Sequence, residues 1–98
     1  YWTDESIDSY VVSARGHHIA RCMSSAMVNG TKLLNCAGLS RGRRDYLLRK
    51  EPLRRVLKKT CKTSRGVWIP YQRAVDLAHT YNVYHSTLPL LVEDPERY

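Results

Sequence analysis

Ninety-eight residues, 43 % apolar and 26 % charged, suffice for one domain with a modest core and not for two. No apolar run nears the roughly 18 residues of a membrane span. No secretory pattern opens the chain, and it starts at Tyr1, as expected of a piece of a longer protein. The net charge of +7 is unevenly placed: residues 41–65 hold eleven Lys/Arg against two acids (Asp45, Glu51), while the other 73 residues hold five Lys/Arg and seven acids. A block of +9 beside a slightly acidic remainder is the electrostatic footprint of a nucleic-acid binder. The alternatives are a solvated charged face or an anionic-membrane patch. Cys22, Cys36 and Cys61 are odd in number and widely spaced, which points to reduced thiols in an intracellular protein rather than a disulfide framework.

"SYVVSARGHHIARCM" predicts a β-hairpin, with Tyr10 and Val12 alternating with Val11 and Ser13 and a turn near Gly16-His17. "AMVNGTKLLNCAG" changes period. Asn29 is a fitting N-cap, Gly38 a fitting C′ stop, and Leu33, Leu34 and Ala37 share one face between them, so a helix of about two turns is expected. Ser40 is the next N-cap candidate. "RGRRDYLLRKE" follows as a second short helix, anchored by Leu47 and Leu48 and ended by Pro52. Two short helices joined by a Gly-containing turn make a helix-turn-helix.

Val56 and Leu57, then Val67, Trp68 and Ile69, are β-formers flanking the polar, basic tip "KKTCKTSRG". They predict a second hairpin, or wing, with Arg54 and Arg55 just before it. Pro70 suits the first turn of a third helix, in which Tyr71, Ala74, Val75 and Ala78 fall at i, i+3, i+4 and i+7, widened by Leu77 and Tyr81 and stopped by Asn82. "STLPLLVEDPERY" adds a last turn and a polar tail. No internal repeat or second domain is visible. The expected architecture is α+β, a winged helix-turn-helix: N-terminal β-hairpin, two short helices, basic β-hairpin wing and C-terminal amphipathic helix, in one domain over 1–98 with its core at about 10–92.

Asn29-Gly30-Thr31-Lys32-Leu33-Leu34-Asn35, Gly38, Arg41-Gly42-Arg43-Arg44-Asp45 and Gly66-Val67-Trp68-Ile69-Pro70 resemble, in content and spacing, the APSES domain of fungal transcription regulators, a relative of the KilA-N domain. The resemblance implies a nuclear, sequence-specific double-stranded DNA-binding domain acting on promoters of developmental or stress genes, commonly at a CGCG-like core. It also implies partnership with other transcription regulators through regions outside this segment, and no membrane association. Two departures stand out: Tyr46 where the family usually has Gly, and a wing made more basic by Lys58, Lys59, Lys62 and Arg65.

The candidate DNA-binding residues are Lys32, Asn35, Ser40, Arg41, Gly42, Arg43, Arg44, Lys58, Lys59, Lys62 and Arg65. Arginines at a helix N-terminus oppose the macrodipole, which makes sense where that end meets phosphates or guanine edges. Alternatively one of them pairs with Asp45 or Glu51. Gly42 costs a helix roughly 1 kcal/mol relative to Ala; close approach of DNA or tight packing on the first helix would each account for it. The wing cations suit phosphate or the minor groove. Lys32 and Asn35 lie on the polar face of the helix expected to cross the backbone. Trp68, in an apolar run, is expected in the core where the wing strand meets the helices. No Cys-x-x-Cys or His-x₃-His spacing supports a metal, no nucleophile stands beside a base, and no cofactor is called for, so the chain is read as a non-enzyme. Rival readings are a chromatin or nuclear-envelope interaction module on the same fold and a non-specific nucleic-acid binder.

Overall fold

The computed structural model describes residues 2–4, 7–23, 25–58, 65–87 and 91; Lys59, Cys61 and Lys62 lie outside them. The first hairpin pairs β2 (Ile7–Ala14) with β3 (His17–Cys22), and β1 (Trp2–Asp4) adds to its outer edge. Its turn is Arg15-Gly16, one residue earlier than the spacing predicted. Both residues have positive φ, 50° and 80°, the geometry whose twist matches a two-residue hairpin.

Sequence patterning predicts two separate hairpins. They are instead parts of one antiparallel sheet of order β1-β2-β3-β4-β6-β5. The link is β4, only Val28–Asn29, which pairs with Arg21 of β3 on one side and with Trp68 and Ile69 of β6 (Gly66–Ile69) on the other. A strand this short leaves no periodic signal. β5 (Arg55–Leu57) closes the sheet as the free edge of the wing, so Arg55 begins the strand rather than preceding it.

Helix α1 (Gly30–Cys36) is capped by the Asn29 side chain, and α2 (Arg41–Arg49) by Ser40, whose Oγ accepts from the Arg43 N–H. Gly38, at φ 87°, ends α1 in a left-handed cap whose N–H donates to the Asn35 carbonyl while Leu39 N–H reaches Leu34. Helix α3 (Tyr71–Thr80) ends the same way at Asn82. Pro70 is its N-cap rather than its first helical residue.

Alternation in the strands decides what faces the helices. Val12, Ala14, Ile19, Val28, Val67 and Ile69 meet Leu33, Leu34, Leu48, Ala74, Leu77 and Ala78 in one core. Trp68 is buried, 2 % exposed, as expected of the "VWIP" run. It points the other way, however, because Val67 and Ile69 occupy the helix side. It shares the back face of the sheet with Cys22, Arg55 and Leu57. The expectation that Trp68 packs against the helices is therefore corrected. Cys36 is a core thiol donating to the Ala14 carbonyl; burial raises its pKa, partly opposed by Arg15.

Candidate nucleic-acid interface

The root of the wing is welded to the start of α1. Asn29 is fully buried; its Oδ1 accepts from the Lys32 N–H at 3.2 Å and its Nδ2 donates to the Arg65 carbonyl at 3.0 Å. Thr31 Oγ1 accepts from the Val67 N–H at 2.9 Å. One buried side chain thus caps the helix and fixes the strand that leaves the wing. Two glycines make the approach possible. A Cβ on Gly30 would lie 2.9 Å from Leu48 Cδ2, and one on Gly66, whose φ is 138°, would lie 2.7 Å from Asn29 Oδ1.

The other leg of the wing hangs on α3. Glu51, buried after the end of α2, takes two parallel bonds from Arg73, Nε to Oε1 and Nη2 to Oε2, both at 2.9 Å. The Glu51 carbonyl accepts from Arg54. This fork raises the Arg73 pKa, chiefly through the Glu51 hydrogen bonds. The partner of Glu51 is therefore Arg73, and none of the α2 arginines.

Between α2 and the wing runs an open groove of about 430 Å³. Lys32, Arg41, Arg44, Lys58 and Arg65 line it, with Thr31, Asp45, Val56, Leu57, Gly66 and Val67. A second groove of about 360 Å³ continues between the C-terminal half of α2 and the wing, bounded by Asp45, Arg49, Arg54, Val56 and Lys58. Five of the residues selected from the sequence thus converge from two helices and the two wing legs. Five cations on one concavity repel one another within the protein, and a polyanion in the groove offsets that cost.

The remaining candidates divide. Gly42 and Arg43 are exposed on the outward face of α2, in line with Tyr46 and Lys50. Tyr46 projects from the helix, and its hydroxyl accepts from Lys50 Nζ at 2.6 Å while the ammonium lies 4.2 Å from the ring centroid. A Cβ on Gly42 would meet nothing within 4 Å, so packing on α1 does not account for this glycine. Arg44 turns inward. Its Nη1 donates to the Leu39 carbonyl at 2.8 Å and to Asn35 Oδ1 at 3.3 Å, and its Nε is buried without a partner among the described residues. Asn35 Nδ2 in turn lies 3.4 Å from His17 Nδ1. Arg44 and Asn35 hold the turn between the helices, and Ser40 is occupied as a cap. Ser40, Asn35 and Arg44 already use polar groups in bonds within the domain, whereas the side chains of Arg41 and Arg43 make none among the described residues.

Sequence reading passed over Asn29, Thr31, Glu51 and Arg73 as positioning residues. A signal existed for two of them: in "NGT" a glycine stands between the polar Asn29 and Thr31, as a close backbone approach requires. Glu51 and Arg73 carry no such signal, since only the fold brings them together.

A three-helix, wing-bearing antiparallel sheet with a cationic groove beside its second helix is a winged helix-turn-helix domain. No protein-family model matches the chain. The cell pattern formation-associated protein asm-1 of Neurospora crassa is 45% identical to it over 93 residues, 95% of this chain and 14% of that protein. Among solved structures, the DNA complex of PCG2 superposes with a TM-score of 0.73 over 92% of each chain at 21% identity. MBP1 of Saccharomyces cerevisiae superposes with a TM-score of 0.68, over 85% of this chain and 98% of that one, at 24% identity. The chain belongs to the APSES family, and it spans about a seventh of the length of such relatives, 14% for asm-1.

Proposed function

We propose that this chain is the DNA-binding domain of a fungal transcription regulator, acting in the nucleus on promoters that govern cell pattern or development. It binds double-stranded DNA sequence-specifically. The outward face of α2, with Gly42 and Arg43, enters the major groove, Arg41 stands at its edge, and the wing follows the phosphate backbone or the minor groove. A CGCG-like element is the favoured target. The observation that carries this reading is the groove in which Lys32, Arg41, Arg44, Lys58 and Arg65 converge beside the free face of α2. The asm-1 relationship and the PCG2 complex agree with it.

The test is selection of bound sequences from a random duplex pool, followed by affinity as a function of salt. An enriched motif is expected, and the Lys58→Gln, Arg65→Gln double variant should flatten the slope of log K against log salt by about 2, since each phosphate contact contributes about 0.9. A slope without a motif would make this a non-specific binder. Absence of binding would leave the fold as a protein-interaction module.

A further inference from the structure

Asp45 is the anomaly of the basic surface. It is exposed on α2 and lies on the ridge between the two grooves, lining both. Cations surround it on every element that borders the grooves: Arg41, Arg44 and Arg49 on its own helix, Lys32 on α1, and Arg54, Lys58 and Arg65 on the wing legs. Among the described residues it nevertheless makes no ion pair and no hydrogen bond, while Glu51 and Asp76 are both bonded to Arg73. A carboxylate held there weakens attraction to phosphate, and among the described residues it makes no bond within the domain that fixes it in place.

Its chemistry is what the rest of the groove lacks. Arg and Lys side chains only donate. Thr31 Oγ1 already accepts from Val67. Asp45 is the carboxylate that lines both grooves, and among the described residues its two oxygens accept no hydrogen bond. The donors exposed in the DNA major groove are the amino groups of cytosine N4 and adenine N6. The adenine amino group stands beside the N7 acceptor, which repels a carboxylate; the cytosine amino group stands beside a C5–H edge, which does not. Gly42 lies one turn earlier on the same helix, with open space where a side chain would be. It leaves the approach to the carboxylate unobstructed.

We infer that Asp45 is a specificity-determining residue that accepts a hydrogen bond from cytosine N4 at one position of the target site. This rests on the DNA-binding reading above and adds the base and the atom. Asp45 selects by difference: its charge lowers affinity for every duplex, and the cytosine contact restores it at one sequence.

The experiment is parallel selection from a random duplex pool with the wild-type chain, Asp45→Ala and Asp45→Asn, with thermal melts of all three. The melts should agree closely, because the side chain makes no internal bond. Wild type should enrich cytosine at one position by about tenfold over other bases. Asp45→Ala should lose that preference alone while binding random duplex at least as well. Asp45→Asn should move the preference toward adenine, which an amide reads through N6 and N7. If Asp45→Ala selects the wild-type motif unchanged and binds all duplexes more tightly, Asp45 is a repulsive charge and the inference fails while DNA recognition stands. If wild type enriches no motif, the DNA-recognition reading fails and takes the inference with it.

Discussion

The wing root and the outward face of α2 flank the same cationic groove, and they are built on opposite terms. At the root, Asn29, Thr31, Arg65 and Val67 use their polar groups on one another, and Gly30 and Gly66 have no room for a Cβ. On α2, Gly42 faces open space and Arg43 is exposed. The first region is fixed by what it must hold, and the second is left free by the domain. The same contrast divides adjacent residues: Arg43 points out, whereas Arg44 is bonded into the turn between the helices. Charge count alone does not distinguish an arginine bonded into the fold from an exposed one.

The sharpest way to break the comparison is at the root. Gly66→Ala combines a φ of 138° with a 2.7 Å approach to Asn29 Oδ1. It should cost about 2–4 kcal/mol of stability, from backbone strain plus overpacking. Denaturant unfolding measures this, and DNA affinity should fall only as the folded fraction falls. A variant of unchanged stability would mean the root is loose and does not set the wing's position.

Next in size is the pair of neighbouring arginines. Arg44→Ala leaves the Leu39 carbonyl and Asn35 Oδ1 without their donor and should cost about 1–2 kcal/mol in a melt. Its effect on binding should be similar for selected and random duplexes. Arg43→Ala should leave the melt unchanged and cost about 1–3 kcal/mol on the selected duplex, with much less on random DNA. Exchange of these two patterns would reverse the roles assigned to the two side chains.

Much of this architecture was legible because it is local. Asn29 and Ser40 cap the helices the sequence marks, Gly38 stops α1, and the α3 stripe of Ala74, Leu77 and Ala78 is buried as its spacing requires. What was illegible depends on partners distant in sequence. The two-residue β4 has no period to detect, yet it merges the hairpins into one sheet. Trp68 was recognisable as buried, but its face depended on which neighbours met the helices. In the candidate interface, the clustering of charge located the groove. The division of labour among Arg41, Arg43 and Arg44 was not visible, because it turns on the Leu39 carbonyl and the Asn35 amide that one of them reaches.

The smallest change in energy gives the most direct test. Gly42 sits within α2 where a Cβ meets nothing, so Gly42→Ala should stabilise the free domain by about 1 kcal/mol. If the outward face of α2 lies against DNA, the added methyl group meets bases or backbone instead, and affinity for the selected duplex should fall by about tenfold. The account predicts opposite signs from one substitution: a higher melting temperature and weaker binding. A variant that melts higher and binds the selected duplex as tightly as wild type, or more tightly, would show that this face of α2 does not meet DNA.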